Sequence, residues 1–287
     1  MIVSASLSLL LLTLMSVKNN QIKISVAIAT FNEEKNIRYC LNSIKNWADE
    51  IIIFDGSSTD KTVEIARNLG ATVFVVDNPP HFHTNKQKAI DKCKNSWIFQ
   101  LDADEELTSQ LKEEIAKVIS DPENKYSGFY IPRRNYFLAH WMKKTANYPD
   151  PVIRLFKKGT GKVPAKNTHE QIEISGSVGW LKNEMLHYGD VSFTRYLIRA
   201  NRYSTMDARY LKRDNIKITF RFTFKYLFLY PLKTFLLLYF RHQGFRDGMA
   251  GFAFSLYSSV HFISTYLKYY ESTNQSIDRP EPLDYWA

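Results

Sequence analysis

The feature that most constrains the fold of this chain is a repeated pattern of a short apolar run, a polar loop and a helical segment. Such apolar runs lie at residues 22–30, 50–55 and 71–76, and a fourth at residues 97–101 ends in the acidic stretch Asp102–Glu106. Strands that alternate with helices at this spacing predict a sheet of mostly parallel strands. The predicted fold class is therefore α/β, Rossmann-like, with a mostly parallel sheet and flanking helices.

Polar loops follow three of the predicted strands, at the point where each strand ends. Thr30–Glu33 follows the first strand, Asp55–Ser58 the second and Asp102–Asp104 the fourth. The carboxyl ends of parallel strands lie at one edge of a sheet, where open α/β sheets bind ligands, and the helix after each loop favours anions at its N-terminus. Each loop alone is typical of an ordinary turn with a helix cap. Together they indicate a site for a ligand with an anionic part.

The acidic stretch after the fourth strand has two interpretations. Asp102 and Asp104 would repel each other, so a cation is expected beside them, and a divalent ion with oxygen ligands is the natural candidate. Alternatively, Asp104, Glu105 and Glu106 form the acidic start of a helix predicted at Thr108–Ser120, whose dipole they would suit. The fragment alone leaves both interpretations open.

Charge and cysteine usage narrow the class of protein. The net charge of +9 and the 14% aromatic content fit nucleic acid, an anionic membrane or a phosphate-bearing ligand as partner. The basic residues are interleaved with long apolar helices rather than gathered into a nucleic-acid-binding motif, so no nucleic-acid partner is predicted. The two cysteines, Cys40 and Cys93, lack metal-ligand spacing, which favours a reducing compartment.

The two ends of the chain differ in character from its middle. Residues 1–18 are almost wholly apolar or small and lack a basic region ahead of the apolar run, so they predict either a membrane anchor or an over-extended start. An inserted anchor would leave the rest of the chain in the cytoplasm. Residues 19–190 are predicted to form the α/β domain, and residues 191–287 a C-terminal helical extension.

The most apolar part of the helical extension is Thr219–Phe240. It is rich in aromatic residues but carries Arg221, Lys225, Pro231 and Lys233, and these charges argue against a simple membrane span. They predict a helix, kinked or broken at Pro231, that lies in an anionic membrane interface with its cations outward. Packing against the α/β domain, or against a second subunit in a homo-oligomer, is the alternative.

The three loops are far more specific as an ordered set than singly. Their sequences are A-T-F-N-E-E, then I-I-F-D-G-S-S-T-D-K-T, then L-D-A-D-E. Over roughly residues 22–110 this order resembles the nucleotide-sugar-binding half of the family-2 glycosyltransferases, which have the GT-A fold. The resemblance continues downstream to the branch that contains bacterial lipopolysaccharide-core β-glucosyltransferases, through Ile153–Phe156, Thr168–Glu170, Leu186–Tyr188, Asn201–Ser204 and Gly244–Gly248.

The resemblance implies an inverting transfer of a hexose from a nucleoside-diphosphate sugar, a UDP-sugar, to a hydroxyl of a lipid-linked or lipopolysaccharide-core saccharide. Asp104 is implied as the ligand of a divalent cation, Mg²⁺ or Mn²⁺, which would stabilise charge on the leaving diphosphate. Asp102 would lie beside the ribose or the water shell of the metal, and Asp55 would contact the nucleobase. Thr30 and Glu33 would complete the nucleoside pocket.

The remaining predicted site residues are one base and three cations. A base for the acceptor hydroxyl is implied at Glu170, with Asp150 as its competitor. Lys86, on the helix before the acidic strand, is placed to reach the nucleotide, and a solvated lysine is the alternative. Arg154 and Arg202 are candidates for binding the diphosphate, because a guanidinium group binds phosphate oxygens in a bidentate fork.

Three other functions compete with this prediction. A nucleotidyltransferase would carry a Gly-rich basic loop after the first strand, where this chain has Phe31–Glu34. Transfer of the sugar to a peptide or protein, and a non-catalytic basic membrane-binding scaffold, are the other two. The predicted location is cytoplasmic, peripheral at the inner face of the cytoplasmic membrane, with or without the N-terminal anchor.

Overall fold

The computed structural model describes residues 23–79, 83–164 and 171–274. Two of the sequence predictions fall elsewhere in the chain. The apolar segment predicted at residues 1–18 and the base predicted at Glu170 both lie outside the described residues. Both therefore stay predictions.

The chain forms two compact units. The first unit extends to Ile131 and resumes at Val152–Asn183, whereas the second comprises Pro132–Pro151 and the described chain from Glu184 onward. Each unit is built from strands and helices that lie far apart in the sequence. The domain boundary predicted at residue 190 stays a prediction.

The strands of the described chain are β1 (Ile24–Thr30), β2 (Glu50–Asp55), β3 (Thr72–Val75), β4 (Trp97–Asp102), β5 (Glu105–Leu107), β6 (Gly128–Phe137), β7 (His140–Trp141), β8 (Asp150–Lys157), β9 (Gly161–Lys162), β10 (Glu173–Ile174), β11 (Val178–Trp180) and β12 (Met185–Asp190). In the first unit the strands pair in the order β3-β2-β1-β4-β8. Strands β1 to β4 are parallel to their neighbours, and β8 runs antiparallel to β4. The predicted α/β fold with a mostly parallel sheet and flanking helices is confirmed.

Each of the four helices of the first unit carries buried residues. They are α1 (Ile37–Ile44), α2 (Thr62–Asn68), α3 (His83–Lys92) and α4 (Ser109–Ser120). In α1 the buried residues Ile37, Cys40, Leu41 and Ile44 follow the spacing of a single helical face. Strand β4 is buried from Trp97 to Leu101, as the apolar runs of a parallel sheet require. The core thus holds the strand ends in a fixed register.

The second unit combines a few strands with long helices. Strand β12 pairs in parallel with the C-terminal half of β6, and β7 pairs antiparallel with the same half. Helix α5 (Phe193–Arg213) begins after Ser192, whose Oγ accepts a hydrogen bond from the Arg195 N–H at 3.2 Å. Its residue Tyr196 packs with Phe137 and Ala250 in the core of this unit.

A composite helix occupies Phe220–Arg241. Its α-helical segments α6 (Phe220–Phe224) and α7 (Tyr230–Leu236) alternate with π-helical turns at Lys225–Leu229 and Leu237–Arg241. The backbone stays helical through Pro231, so of the two predicted effects the break is wrong, and the kink stays a prediction. Proline clashes with the carbonyl four residues before it in a regular α-helix, and the wider π turn ahead of Pro231 relieves that clash.

The last described helix is α8 (Gly248–Asn274), which packs against α5 and the composite helix. A short 3₁₀ turn at Gly244–Asp247 leads into it. Within the ranges that the structure describes, no helix is long and apolar enough to cross a membrane.

Candidate active site

Parallel pairing brings the ends of three strands to one edge of the first unit. Thr30, at the end of β1, is the register partner of Asp55 at the end of β2, and Ala29 is the partner of Asp102 at the end of β4. The Thr30 hydroxyl donates a hydrogen bond of 2.8 Å to Asp55 Oδ2, and both side chains are buried. The structure therefore brings together three of the predicted site residues.

The Asp55 carboxylate is held by its own loop. Its Oδ1 accepts a hydrogen bond from the Ser58 N–H at 2.7 Å, and its Oδ2 accepts one from the Ser58 hydroxyl at 2.6 Å. Ser57 turns the loop with a left-handed φ of 62°. Together with the bond from the Thr30 hydroxyl, these hydrogen bonds fix the orientation of the fully buried Asp55 carboxylate.

The loop after β1 is tied to the loop after β2. The Asn32 N–H donates to Ser58 Oγ at 2.8 Å, and the Glu33 N–H donates to Thr62 Oγ1 at 2.7 Å. The Glu33 carboxylate accepts from Asn36 Nδ2 at 2.6 Å, just before α1. These bonds order the two loops relative to each other. The predicted nucleoside pocket therefore has a preorganised backbone.

Asp102 lies between two cations. Lys86 Nζ is 2.5 Å from Asp102 Oδ1, and Arg154 Nη2 is 2.6 Å from Asp102 Oδ2. Burial acts to raise the pKa of Asp102, but the charges of Arg154 and Lys86 and the hydrogen bonds from Lys86 and Gln100 outweigh it, so the pKa lies well below its usual range. The Lys86 side chain is only 12% exposed, so the solvated-lysine alternative is wrong. Asp102 is an ionised carboxylate whose charge the protein already balances.

Glu105 is a site residue that the sequence did not identify. It is fully buried on β5, with Oε1 at 2.6 Å from Arg154 Nη2 and with Oε2 accepting the Asp102 N–H at 2.9 Å. For Glu105 the interpretation as part of an acidic helix start is therefore wrong. The N-cap of α4 is Thr108, whose Oγ1 accepts from the Leu111 N–H at 3.2 Å. The one available signal was the position of Glu105 directly after L-D-A-D.

Four side chains form a closed polar ring beneath this turn. Arg154 Nη1 donates to the buried Gln100 Oε1, and Arg154 Nη2 donates to both Asp102 and Glu105. Gln100 Nε2 closes the ring on Asp102 Oδ1 at 2.9 Å. Burial acts to lower the pKa of Arg154, but the two carboxylates raise it above its usual range. The structure favours a positioning role for Arg154, bracing the turn that carries Asp104, over the predicted grip on the diphosphate.

Asp104 lies half-buried in the turn between β4 and β5. Across residues 23–79, 83–164 and 171–274, no group of three or more His, Cys, Asp or Glu side chains could hold a metal ion. A magnesium-like ion bound through substrate phosphates needs only one or two protein carboxylates, because phosphate oxygens and waters complete its shell. A single half-buried carboxylate such as Asp104 is enough for that mode of binding, and the neighbouring Asp102 pairs with Lys86 and Arg154.

Replacing Glu105 with Ala is expected to lower the free energy of unfolding by about 3–5 kcal/mol, because Arg154 stays buried and loses one of its two counter-charges. Urea denaturation followed by circular dichroism measures the change. Glu113→Ala, at an exposed position on α4, is the matched control and is expected to stay within about 0.5 kcal/mol of the wild type. An equally small loss for Glu105→Ala would contradict the bracing role of the ring.

Two predicted site residues lie in the second unit. Asp150 Oδ2 accepts hydrogen bonds from Arg133 Nη2 at 2.5 Å, from Arg133 Nε at 3.0 Å and from Asn135 Nδ2 at 2.9 Å. The competitor for the role of base is therefore held in an ion pair. Arg202 is exposed on α5, and its role in donor binding stays a prediction. The role of Glu170 as the base also stays a prediction.

A mostly parallel sheet with a hydroxyl and carboxyl groups at its strand ends is the arrangement of a nucleotide-binding α/β enzyme. Its family follows from likeness to known proteins. Residues 25–179 match the model of glycosyl transferase family 2, and the chain belongs to this family. The predicted family and its GT-A fold are confirmed.

Relatives extend the likeness beyond the matched domain. An uncharacterized glycosyltransferase of Rickettsia felis is 32% identical over 251 residues, which cover 81% of this chain and 86% of the relative. The lipopolysaccharide core biosynthesis glycosyltransferase LpsC of Rhizobium meliloti is 27% identical over 257 residues, 88% of this chain and 93% of LpsC. The resemblance to the lipopolysaccharide-core branch is thereby confirmed.

Among solved structures, the mannosyltransferase PcManGT from Pyrobaculum calidifontis, in complex with GDP-Man and Mn²⁺, is 13% identical with a TM-score of 0.48, and the match covers 87% of each chain.

Proposed function

We propose that this glycosyltransferase moves a hexose from a nucleoside-diphosphate sugar, a UDP-sugar, to a hydroxyl of a lipopolysaccharide-core or other lipid-linked saccharide. The observation that carries the donor half of the proposal is the register of β1, β2 and β4, which brings Thr30, Asp55 and Asp102 to one edge of the sheet. The likeness to LpsC over 88% of the chain supports the acceptor class.

The nucleoside of the donor would lie against this edge. Asp55 would contact the nucleobase, and Thr30 and Glu33 would line the pocket around it. Asp102 would accept a ribose hydroxyl, since its carboxylate is ionised and its side chain is still 23% exposed. Lys86 would act mainly by orienting Asp102.

The diphosphate would lie beyond the turn between β4 and β5. Asp104 would hold a Mg²⁺ or Mn²⁺ ion together with the diphosphate oxygens, and the ion would supply neutralisation of the charge that builds on the leaving group. Arg202 is retained as a further phosphate contact on chemical grounds, because guanidinium binds phosphate oxygens in pairs.

Glu170 is the proposed base of a single displacement. Its carboxylate would take the proton of the acceptor hydroxyl while the hydroxyl oxygen attacks the anomeric carbon from the face opposite the diphosphate. The new glycosidic bond forms as the bond to the diphosphate oxygen breaks, and the diphosphate leaves with the bonding electrons. The anomeric configuration would therefore invert. The assignment rests on the Thr168–Glu170 motif, which lies outside the described residues.

A transfer assay on the full chain tests the proposed function. The chain is incubated with Mn²⁺, with UDP-hexoses or GDP-hexoses, and with lipopolysaccharide-core oligosaccharides truncated before a hexose. One donor is expected to yield an acceptor heavier by one hexosyl residue in the mass spectrum. A product on peptides alone would move the acceptor to the protein class. A folded chain that transfers sugar from none of the donors to any acceptor would contradict the proposal.

A further inference from the structure

The composite helix Phe220–Arg241 exposes a row of large apolar side chains at strict four-residue spacing. Apolar residues that are exposed singly are normal, whereas a contiguous row indicates an interaction surface. These side chains are 45% to 88% exposed. The outer row, as we call it, consists of Phe220, Phe224, Phe228, Leu232, Leu236 and Phe240.

The two π-helical turns keep the outer row straight. In a regular α-helix four residues exceed one turn by about 40°, so a row of this length would wind about halfway around the helix. The π turns are closed by bonds from the Tyr230 N–H to the Lys225 carbonyl and from the His242 N–H to the Leu237 carbonyl. Such turns hold more residues and offset the drift. The helix therefore presents one apolar face along its whole length.

The opposite side of the composite helix is covered by α8. The ring centroids of Tyr226 and Tyr230 lie 6.3 and 5.5 Å from the centroid of Phe262. The centroid of Phe235 lies 6.1 Å from that of Phe252. These inner aromatic contacts hold the helical hairpin together. The outer row is thus a surface feature of the folded unit rather than part of its core.

Charge identifies the partner of this surface. From Asn215 to Arg246 the chain carries no Asp or Glu, and its six cations are Lys217, Arg221, Lys225, Lys233, Arg241 and Arg246. Among these, Arg221, Lys233 and Arg241 are exposed, and each directly follows a member of the outer row. Cations beside an apolar face are the pattern of a helix that lies in an anionic membrane interface.

We propose that the outer row is the face by which this enzyme docks on an anionic lipid bilayer. The apolar side chains enter the boundary between headgroups and acyl chains, and the flanking cations meet the anionic headgroups. The charges recur along the whole helix, which suits a helix lying in the plane of the interface. The purpose of docking rests on the proposed function, because a soluble donor and a lipid-linked acceptor meet at that surface.

A second copy of the chain is the competing occupant, and charge disfavours it. In a two-fold interface a surface meets itself, so the cations beside the outer row would face the same cations of the other copy. Like charges brought together at an interface cost affinity. An anionic bilayer complements them instead.

Co-sedimentation of the full chain with sucrose-loaded vesicles tests the docking face. No nucleotide sugar is present, so the outcome is independent of the transfer reaction. Wild type is expected to bind vesicles of phosphatidylcholine and phosphatidylglycerol at least about tenfold more tightly than phosphatidylcholine alone. Phe228→Ser with Leu232→Ser is expected to weaken binding at least about tenfold. Leu197→Ser with Ile198→Ser, two exposed apolar positions on α5, is the matched control that retains binding.

A second variant keeps the test valid if Phe228→Ser with Leu232→Ser fails to fold. Lys225→Glu with Lys233→Glu keeps the outer row and is expected to abolish the preference for anionic vesicles, with an unchanged circular dichroism spectrum. Wild-type levels of binding in both variants would overturn the proposal. A wild type that ignores vesicles and sediments as a dimer, which Phe228→Ser with Leu232→Ser converts to a monomer, would also overturn it and make the outer row a subunit interface.

Discussion

Replacing Glu170 with Gln is expected to lower kcat for hexose transfer by about 10²–10⁴-fold, because an amide cannot take the proton of the attacking hydroxyl. The exchange keeps the size of the side chain and leaves the residues of the strand-end edge unchanged. Donor affinity is therefore expected to match that of the wild type. Initial rates at saturating donor and acceptor, together with the Kd for UDP, separate the two effects.

Asp150→Asn is the comparison that decides between the two candidate bases. Asp150 is engaged by Arg133 and Asn135, so its loss is expected to act on the stability of the second unit rather than on the chemical step. Its kcat is expected to stay within about tenfold of the wild type. A larger loss of kcat in Asp150→Asn than in Glu170→Gln would exchange the two assignments.

The first half of the fold could be predicted from the sequence because its strands are short apolar runs with clear boundaries. The runs at residues 50–55 and 97–101 are apolar, short and bounded by polar loops, and they form β2 and most of β4. Parallel pairing then follows from the intervening helices. The meeting of Thr30, Asp55 and Asp102 at one edge could be predicted for the same reason.

The polar ring around Arg154 could not be predicted from spacing. Glu105 lies on β5 and Gln100 on β4, while Arg154 lies on β8, 49 residues after Glu105 and 54 residues after Gln100. Pattern reasoning treats a glutamate ahead of a helix as a dipole partner, and only tertiary packing shows that it is buried against a guanidinium. The sequence does not predict strands β5 to β12 either, because β7, β9 and β10 have two residues each, and proline and arginine interrupt the apolar pattern of β6 and β8.

The composite helix shows both the strength and the limit of the sequence pattern. Its apolar and basic character was evident, and its bounds were predicted within about one residue. The π turn ahead of Pro231 could not be predicted, since proline inside a helix normally kinks or breaks it. A π turn at Lys225–Leu229 accommodates Pro231, and the same turn aligns the outer row.

Asp104→Asn is expected to lower kcat about 10²–10³-fold, because charge on the leaving diphosphate would lose its neutralising ion. The neighbouring Glu106→Gln is the matched control. It removes one charge from the same acidic stretch, on a half-buried carboxylate whose pKa burial raises, and it is expected to leave kcat near that of the wild type. Equal losses in both variants would point to the general charge of the stretch rather than to a metal ligand.

Calorimetric titration of UDP into the full chain, with Mn²⁺ or with EDTA, tests the central claim most directly: the strand-end edge of the first unit binds a nucleoside diphosphate through Asp104 and a divalent ion. The wild type is expected to bind UDP with Mn²⁺ and to lose at least about tenfold in affinity with EDTA, whereas Asp104→Asn binds equally weakly in both. A wild type that binds no nucleoside diphosphate in either condition, or an Asp104→Asn variant that keeps the full gain from Mn²⁺, would contradict the claim.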